Sequence, residues 1–248
     1  MHTLFAAVTG IYEWAPNLVS SRLSPGGALA AWVDTHRSLS GRTVLDLGAG
    51  TGVSALALAD AGAQVVAVGA SRPSLDVLES RRGDRKVDVV EADFRDLRLD
   101  ATFDIVTLSR NTFFLAQSQD EKIELLRSVA RHLKPSGGAF LDCTDPAEFL
   151  RTGGDATSVT YPLGRERMVT ITQTSDRATQ AVMSIFLVQS ATELTAFHET
   201  ATWATLAEIR LLTRMAGLAV TAVNGSYAGE EYRSRSREML VVLERKCP

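Results

Sequence analysis

The run Thr43-Val44-Leu45-Asp46-Leu47-Gly48-Ala49-Gly50-Thr51-Gly52 constrains this chain more than any other stretch. Its first half is a short apolar run suited to a buried parallel strand. Three glycines at alternate positions follow, letting the backbone turn sharply and approach a ligand with no side chain between. Val53, Leu56 and Ala57 then begin a pattern that reads as a helix packed back onto the sheet. Strand, loop and helix make a cradle whose free amides and positive helix end face outward, which suits a nucleotide-like or anionic ligand. The dinucleotide fingerprint asks for G-x-G-x-x-G; Gly48 and Gly50 fit it, but the third place is Val53 and Gly52 comes one position early.

Composition removes several classes of function. With 248 residues, 45% hydrophobic and 22% charged, the chain is long enough for one sizeable core in ordinary globular proportions. A net charge of −3 and the lack of a basic stripe leave no electrostatic footprint for nucleic acid. No apolar run approaches a membrane span, and no basic region followed by an apolar stretch opens the chain, so neither membrane nor export is expected. Cys143 and Cys247 cannot build a disulfide framework, and free thiols point to a reducing, cytoplasmic setting. No Cys/His spacing suits a metal, and no paired carboxylates or nucleophile elbow stand out.

The phrase Asp46-Leu47-Gly48-Ala49-Gly50-Thr51-Gly52 resembles the first motif of the class I S-adenosylmethionine-dependent methyltransferases. That resemblance implies S-adenosylmethionine as cofactor, held by Asp46, Gly48, Ala49, Gly50 and Gly52. It also directs attention to Gln64–Val68, a second buried strand, which in that family ends in an acid that binds the ribose hydroxyls. Here the place is held by Gly69, followed by Ala70, Ser71 and Arg72. Gly69 and Ala70 are still expected at the cofactor's ribose edge, with Ser71 or Asp76 as substitutes for the lost carboxylate. Small residues followed by an arginine also suit a ribose 2′-phosphate, which keeps NADP open as a second ligand, against the evidence of Val53. Val87–Phe94 matches the next family motif, and the resemblance assigns Asp93 to the adenine amino group and Phe94 to the adenine face. Phe103–Leu108 reads as the fourth strand, beside the first at the sheet's switch point, where ligands bind outside the strand ends. Ser109 is expected at the cofactor, and Arg110, Asn111 and Phe113 on the acceptor side. The segment Asn-Thr-Phe-Phe-Leu at 111–115 resembles small-molecule methyltransferases of bacterial secondary metabolism.

The expected fold is therefore α/β: a doubly wound, Rossmann-like, seven-stranded and mainly parallel sheet with a β-rich insertion covering the substrate. A single domain over 1–248 is read as an N-terminal flap (1–28), a core (29–146 and 203–248) and a cap (147–202). The flap supplies Tyr12 and Trp14 to the acceptor. In the cap, β-prone runs at 168–174, 181–188 and 194–202 read as an antiparallel meander carrying Arg167 and His198. If the acceptor must lose a proton, His198 or Tyr12 is the expected base. The expected activity is methyl transfer to an oxygen, nitrogen or carbon of a small molecule in secondary metabolism, with a homodimer left open. The alternative is a methyltransferase-like protein that binds a small hydrophobic molecule without methylating it, or serves as a partner subunit.

Overall fold

The computed structural model describes residues 26–151, 155–162 and 165–246. A helix, α1 (Gly26–His36), precedes the alternating part: β1 (Thr43–Leu47), α2 (Val53–Asp60), β2 (Gln64–Gly69), α3 (Arg72–Arg82), β3 (Val87–Glu91) and β4 (Phe103–Leu108). After a short 3-10 helix at Thr112–Leu115 come α4 (Gln119–His132), β5 (Leu133–Thr144) and α5 (Pro146–Leu150). Four strands form the insertion, β6 (Thr157–Pro162), β7 (Arg167–Asp176), β8 (Ala181–Ser190) and β9 (Leu194–Thr202). The chain closes with α6 (Leu206–Met215), β10 (Leu218–Asn224) and β11 (Glu238–Arg245).

Seven strands form the main sheet in the order β10-β11-β5-β4-β1-β2-β3, and β11 alone runs against both its neighbours. The strands are apolar on both faces, and alternate residues enter two separate cores. Val44, Val65, Ala67, Ile105 and Phe140 pack under α1, α2 and α3. Leu45, Leu47, Val106, Leu108 and Leu141 pack under α4 and α6. Each fully buried Leu or Phe is worth about 1.5–3 kcal/mol relative to exposure, so the two layers hold the sheet from both sides. Strand β1 pairs with β2 on one side and with β4 on the other, which puts the glycine loop at the switch point.

Local signals set the helix ends. Ser118 caps α4 by accepting from the Glu121 amide, and Thr205 and Glu208 form a reciprocal capping box at α6. Gly217, in the left-handed region, follows the end of α6. One expectation changes at β5. The run Lys134-Pro135-Ser136-Gly137-Gly138 reads as a turn before the strand, yet β5 already pairs at Leu133, with Phe103. Gly138 pairs with Ile105, so the intervening residues bulge out of the ladder.

The insertion is a separate antiparallel sheet in the order β6-β7-β8-β9. It has four strands where the sequence pattern showed three. The added strand, β6, is an exposed edge rich in Thr, Ser and Tyr, without the apolar alternation that marks its neighbours. The end of β9 fastens this sheet to the core: Gln117 Nε2 donates to Thr200 O at 2.9 Å, Lys122 Nζ to Thr202 Oγ1 at 2.6 Å, and Thr202 Oγ1 to Ala116 O at 2.7 Å.

Candidate active site

The glycine loop is folded by its neighbours on β2. The amides of Gly48 and Ala49 both donate to Val68 O at 2.9 Å, which draws the loop across the end of β2. A Cβ on Gly48 would lie 2.6 Å from Thr112 Cγ2, so the loop and the 3-10 helix touch directly. Gly50, at φ +54°, is different: a Cβ there would meet nothing closer than Gly48 O at 4.0 Å. The loop therefore presents bare backbone to open space at Gly50, as close approach of a ligand requires.

Beneath the loop lies a polar floor. Asp46 is fully buried and accepts from Thr107 Oγ1 at 2.7 Å, while its other oxygen, Oδ2, has no partner. Burial pushes its carboxyl up to about 7, and the Thr107 hydrogen bond opposes that only in part. A buried, half-satisfied acceptor at this place suits a cationic donor such as the ammonium of S-adenosylmethionine. Ser54, in the first turn of α2, and Ser109, at the end of β4, share a hydrogen bond of 2.7 Å across the crevice.

At the end of β4 the chain turns through two successive non-glycine residues in the left-handed region, Arg110 at φ +55° and Asn111 at φ +64°. Such conformations are costly and persist where surrounding contacts over-determine them. Here the Arg110 amide donates to Asp142 Oδ2 at 3.0 Å and the Asn111 amide to Asp142 O at 2.9 Å. The Asn111 side chain donates to Thr144 Oγ1 and accepts from the Thr144 amide. Asp142 is itself held by Tyr227 Oη at 2.7 Å, from the loop between β10 and β11. Asn111 thus serves first as a brace between β4 and β5.

The remaining residues singled out by sequence fall in several places. Gly69 is buried at the end of β2 and Ala70 is exposed beside it. Gly69 is paired with Glu91, an exposed carboxylate one strand away that the sequence pattern did not single out. Ser71 is committed as the cap of α3, and Arg72 binds Asp76 and Glu79, so neither Ser71 nor Asp76 is a free substitute for the missing acid. Asp93 is clamped by Arg95, whose Nε donates to it at 2.9 Å, and this pair holds its carboxyl below the ordinary range. Phe94 is buried next to it. Phe113 is fully buried in the core under α4, with Lys122 Nζ 5.8 Å above its ring, so its ring is a wall of the core and not an exposed acceptor contact.

Two cap residues are placed otherwise than expected. Arg167 pairs with Ser190, at the end of the cap sheet opposite the Thr200–Thr202 anchor. His198 is exposed and shares its face with Ile185 and Met183, the outward one, because successive residues on a strand point to opposite sides. Its neighbour Glu199 points inward, opposite Ser184. The one-residue alternation was readable in the sequence, but which face turns inward was not. Tyr12 and Trp14 lie outside the described residues. Among the described residues, no cluster of three or more His, Cys, Asp or Glu is arranged to hold a metal ion, and no helix is long and apolar enough to cross a membrane.

A glycine cradle at the switch point of a seven-stranded sheet with an antiparallel hairpin at one edge defines a methyltransferase fold, and its residues fit S-adenosylmethionine. Comparison with known proteins agrees: residues 44–137 match the family model described as a methyltransferase domain. The chain is 75% identical over 232 residues to the cypemycin N-terminal methyltransferase of a Streptomyces species, covering 94% of this chain and 95% of that protein. It therefore belongs to the class I S-adenosylmethionine-dependent methyltransferases. The CcbJ methyltransferase of Streptomyces caelestis superposes with a TM-score of 0.83 at 27% identity, over 91% of each chain. An amino pentose methyltransferase from Micromonospora echinaspora, solved with S-adenosylmethionine bound, shares the fold at a TM-score of 0.68 and 21% identity, over 89% of this chain and 90% of that one. These findings do not favour the non-methylating alternative.

Proposed function

We propose that this enzyme methylates the α-amine at the N-terminus of a peptide natural product. The observation that carries this reading is the 75% identity, over nearly the whole of both chains, with a protein named as an N-terminal methyltransferase. The cap supports it, since a four-stranded sheet fastened beside the crevice gives an extended acceptor a broad surface to lie against.

S-adenosylmethionine supplies a methyl group already activated on a sulfonium, so the protein's work is alignment and exclusion of water. Asp46 is positioned to receive the cofactor's ammonium, and Gly48 to Gly50 to receive its backbone-like edge. Gly69, Ala70, Asp93 and Phe94 would border the adenosine; for Asp93 this requires sharing its carboxylate with Arg95. Ser109 completes the floor. Arg110 and Asn111 hold the turn beside the acceptor. The single-domain division into flap, core and cap is part of this proposal, as are a homodimer and a cytoplasmic location.

The test is direct. Purified enzyme is titrated with S-adenosylmethionine by calorimetry, then incubated with cofactor and a set of short peptides, each with a free or an acetylated N-terminus. Methylation confined to the free-amine set and mapped to the first residue by fragmentation is the expected result. Cofactor binding with methylation only of non-peptide amines or hydroxyls would refute the peptide reading.

A further inference from the structure

On the inward face of the cap sheet a polar row runs across three strands between two mainly apolar ones. Cross-strand partners in an antiparallel sheet share a face, so the register sorts the residues row by row. One row is Ile171, Phe186 and Phe197, the last two with rings stacked 4.7 Å apart. Another row is Ser175, Val182 and Ala201, of which Val182 and Ala201 pack into the same apolar cluster as Phe113 and Phe114. Between them runs the row Gln173, Ser184, Glu199.

Within this row, Gln173 Nε2 donates to Ser184 Oγ at 2.9 Å. That leaves the buried Ser184 hydroxyl proton for another partner, and the next residue along the row is Glu199. Glu199 itself has no hydrogen-bond or ion-pair partner among the described residues. It keeps an accessible edge, yet the protein around it desolvates its carboxyl and raises its pKa. A carboxylate set between aromatic and aliphatic rows without a cation is expensive, and such a group is retained where a ligand brings the cation. The strand that carries it is tethered beside the crevice: the next residue, Thr200, accepts from Gln117, just beyond the 3-10 helix whose Thr112 abuts Gly48. No other carboxylate of β7, β8 or β9 lies in this inward row.

We propose that Glu199 receives the acceptor's protonated amine and takes its proton, with Ser184 orienting the carboxylate. This rests on the reading of the acceptor as a peptide α-amine. An α-ammonium has a pKa of about 8, so near neutrality it is mostly protonated and has no lone pair to offer. One N–H bond breaks, its electron pair stays on nitrogen, and the proton passes to a carboxylate oxygen of Glu199. That pair then forms the bond to the methyl carbon as the carbon's bond to sulfur breaks, the electrons of that bond remaining on sulfur. The ammonium–carboxylate hydrogen bond also gives selectivity, because an acetylated N-terminus offers no cation.

The experiment compares wild type with Glu199→Gln, Glu199→Asp, Ser184→Ala and His198→Ala. S-adenosylhomocysteine affinity and binding of the free-amine peptides are measured by calorimetry, and methylation by mass spectrometry. Glu199→Gln is expected to lose about a hundredfold in kcat and to weaken peptide binding about tenfold, with S-adenosylhomocysteine affinity unchanged. Glu199→Asp should recover part of both losses, Ser184→Ala should show a smaller loss of each, and His198→Ala on the outward face should behave as wild type. Wild type that binds S-adenosylhomocysteine but neither binds nor methylates any peptide overturns the peptide reading and this inference with it. Wild type that methylates peptides while Glu199→Gln matches it in binding and rate overturns this inference alone. Equal loss of S-adenosylhomocysteine and peptide affinity in both Glu199 variants would show a structural role and overturn it as well.

Discussion

At position 69 the chain has glycine where the family motif has an acid, and the structure shows what restoring the acid would require. A Cβ on Gly69 would lie 3.1 Å from Leu75 Cδ2, the far end of a flexible side chain, and 3.8 Å from the Gly50 amide. The φ of Gly69 is not in the left-handed region, so a side chain adds no backbone strain. Gly69→Asp is therefore expected to fold, with a small shift of Leu75, and to place a carboxylate beside the loop. S-adenosylmethionine affinity should rise about tenfold, or about 1.4 kcal/mol, while any NADP binding falls through charge repulsion. Calorimetry on wild type and variant with both ligands checks this, and an unchanged S-adenosylmethionine affinity would show that the ribose edge is held from elsewhere. Glu91, paired with Gly69 across β2 and β3, is the first place to look.

Among the elements, α1 and α2 meet at a point with no room to spare. A Cβ on Gly26 would stand 2.0 Å from Val53 O and 3.1 Å from Ala57 Cβ. Val53 opens α2 directly after the glycine loop, so its carbonyl cannot retreat without moving the cradle. Gly26→Ala is expected to destabilise the protein by about 1–3 kcal/mol through overpacking and to weaken cofactor binding at the same time. Urea unfolding followed by cofactor titration of the folded variant measures the two effects separately. Farther along, α1 presents Trp32, which is fully buried and donates from Nε1 to Asn224 Oδ1 at 3.0 Å. The helix before the motif thus ties the cradle to the C-terminal hairpin, a link between residues 192 positions apart.

For the whole molecule, the buried floor of the site costs stability that the cofactor is placed to recover. Folded Asp46 keeps its proton up to about 7, whereas its unfolded value is 3.8. In that window the folded state holds more protons than the unfolded one, so the stability from this group falls as pH rises and is lost above about 7. The full difference amounts to about 4 kcal/mol. Without ligand, Asp46→Asn is expected to raise the Tm at about pH 8 and to leave it nearly unchanged near pH 3, where this carboxyl is mostly neutral in both the folded and the unfolded state. The same variant should lose most of its cofactor affinity. Thermal melts at the two pH values check the first statement, and equal Tm values at the higher pH would show that Asp46 carries no such penalty. His132 acts in the opposite direction: buried, with Nε2 accepting from the Leu99 amide and its pKa lowered, it stabilises the fold above 6.5 and ceases to do so as pH falls.

Much of this was legible in the chain itself. The apolar run before Gly48, the alternate glycines and the strand–helix rhythm up to residue 146 determine a doubly wound sheet, because parallel strands need crossovers and glycine alone suits that loop cheaply. The same local rules mark the stop at Gly217, while the caps at Ser118 and Thr205 emerge from the structure. Three further matters waited for the tertiary structure. The edge strand β6 forms because β7 offers it a ladder, with little apolar pattern of its own. Asp93 looks like a ready acceptor in sequence, but Arg95 folds back upon it. Above all, alternation along β9 told that His198 and Glu199 face opposite ways, yet only the packing of Val182 and Ala201 against the core decided that Glu199 is the one turned inward. Local spacing sets which residues share a face, and burial, a property of the assembled fold, decides which face matters.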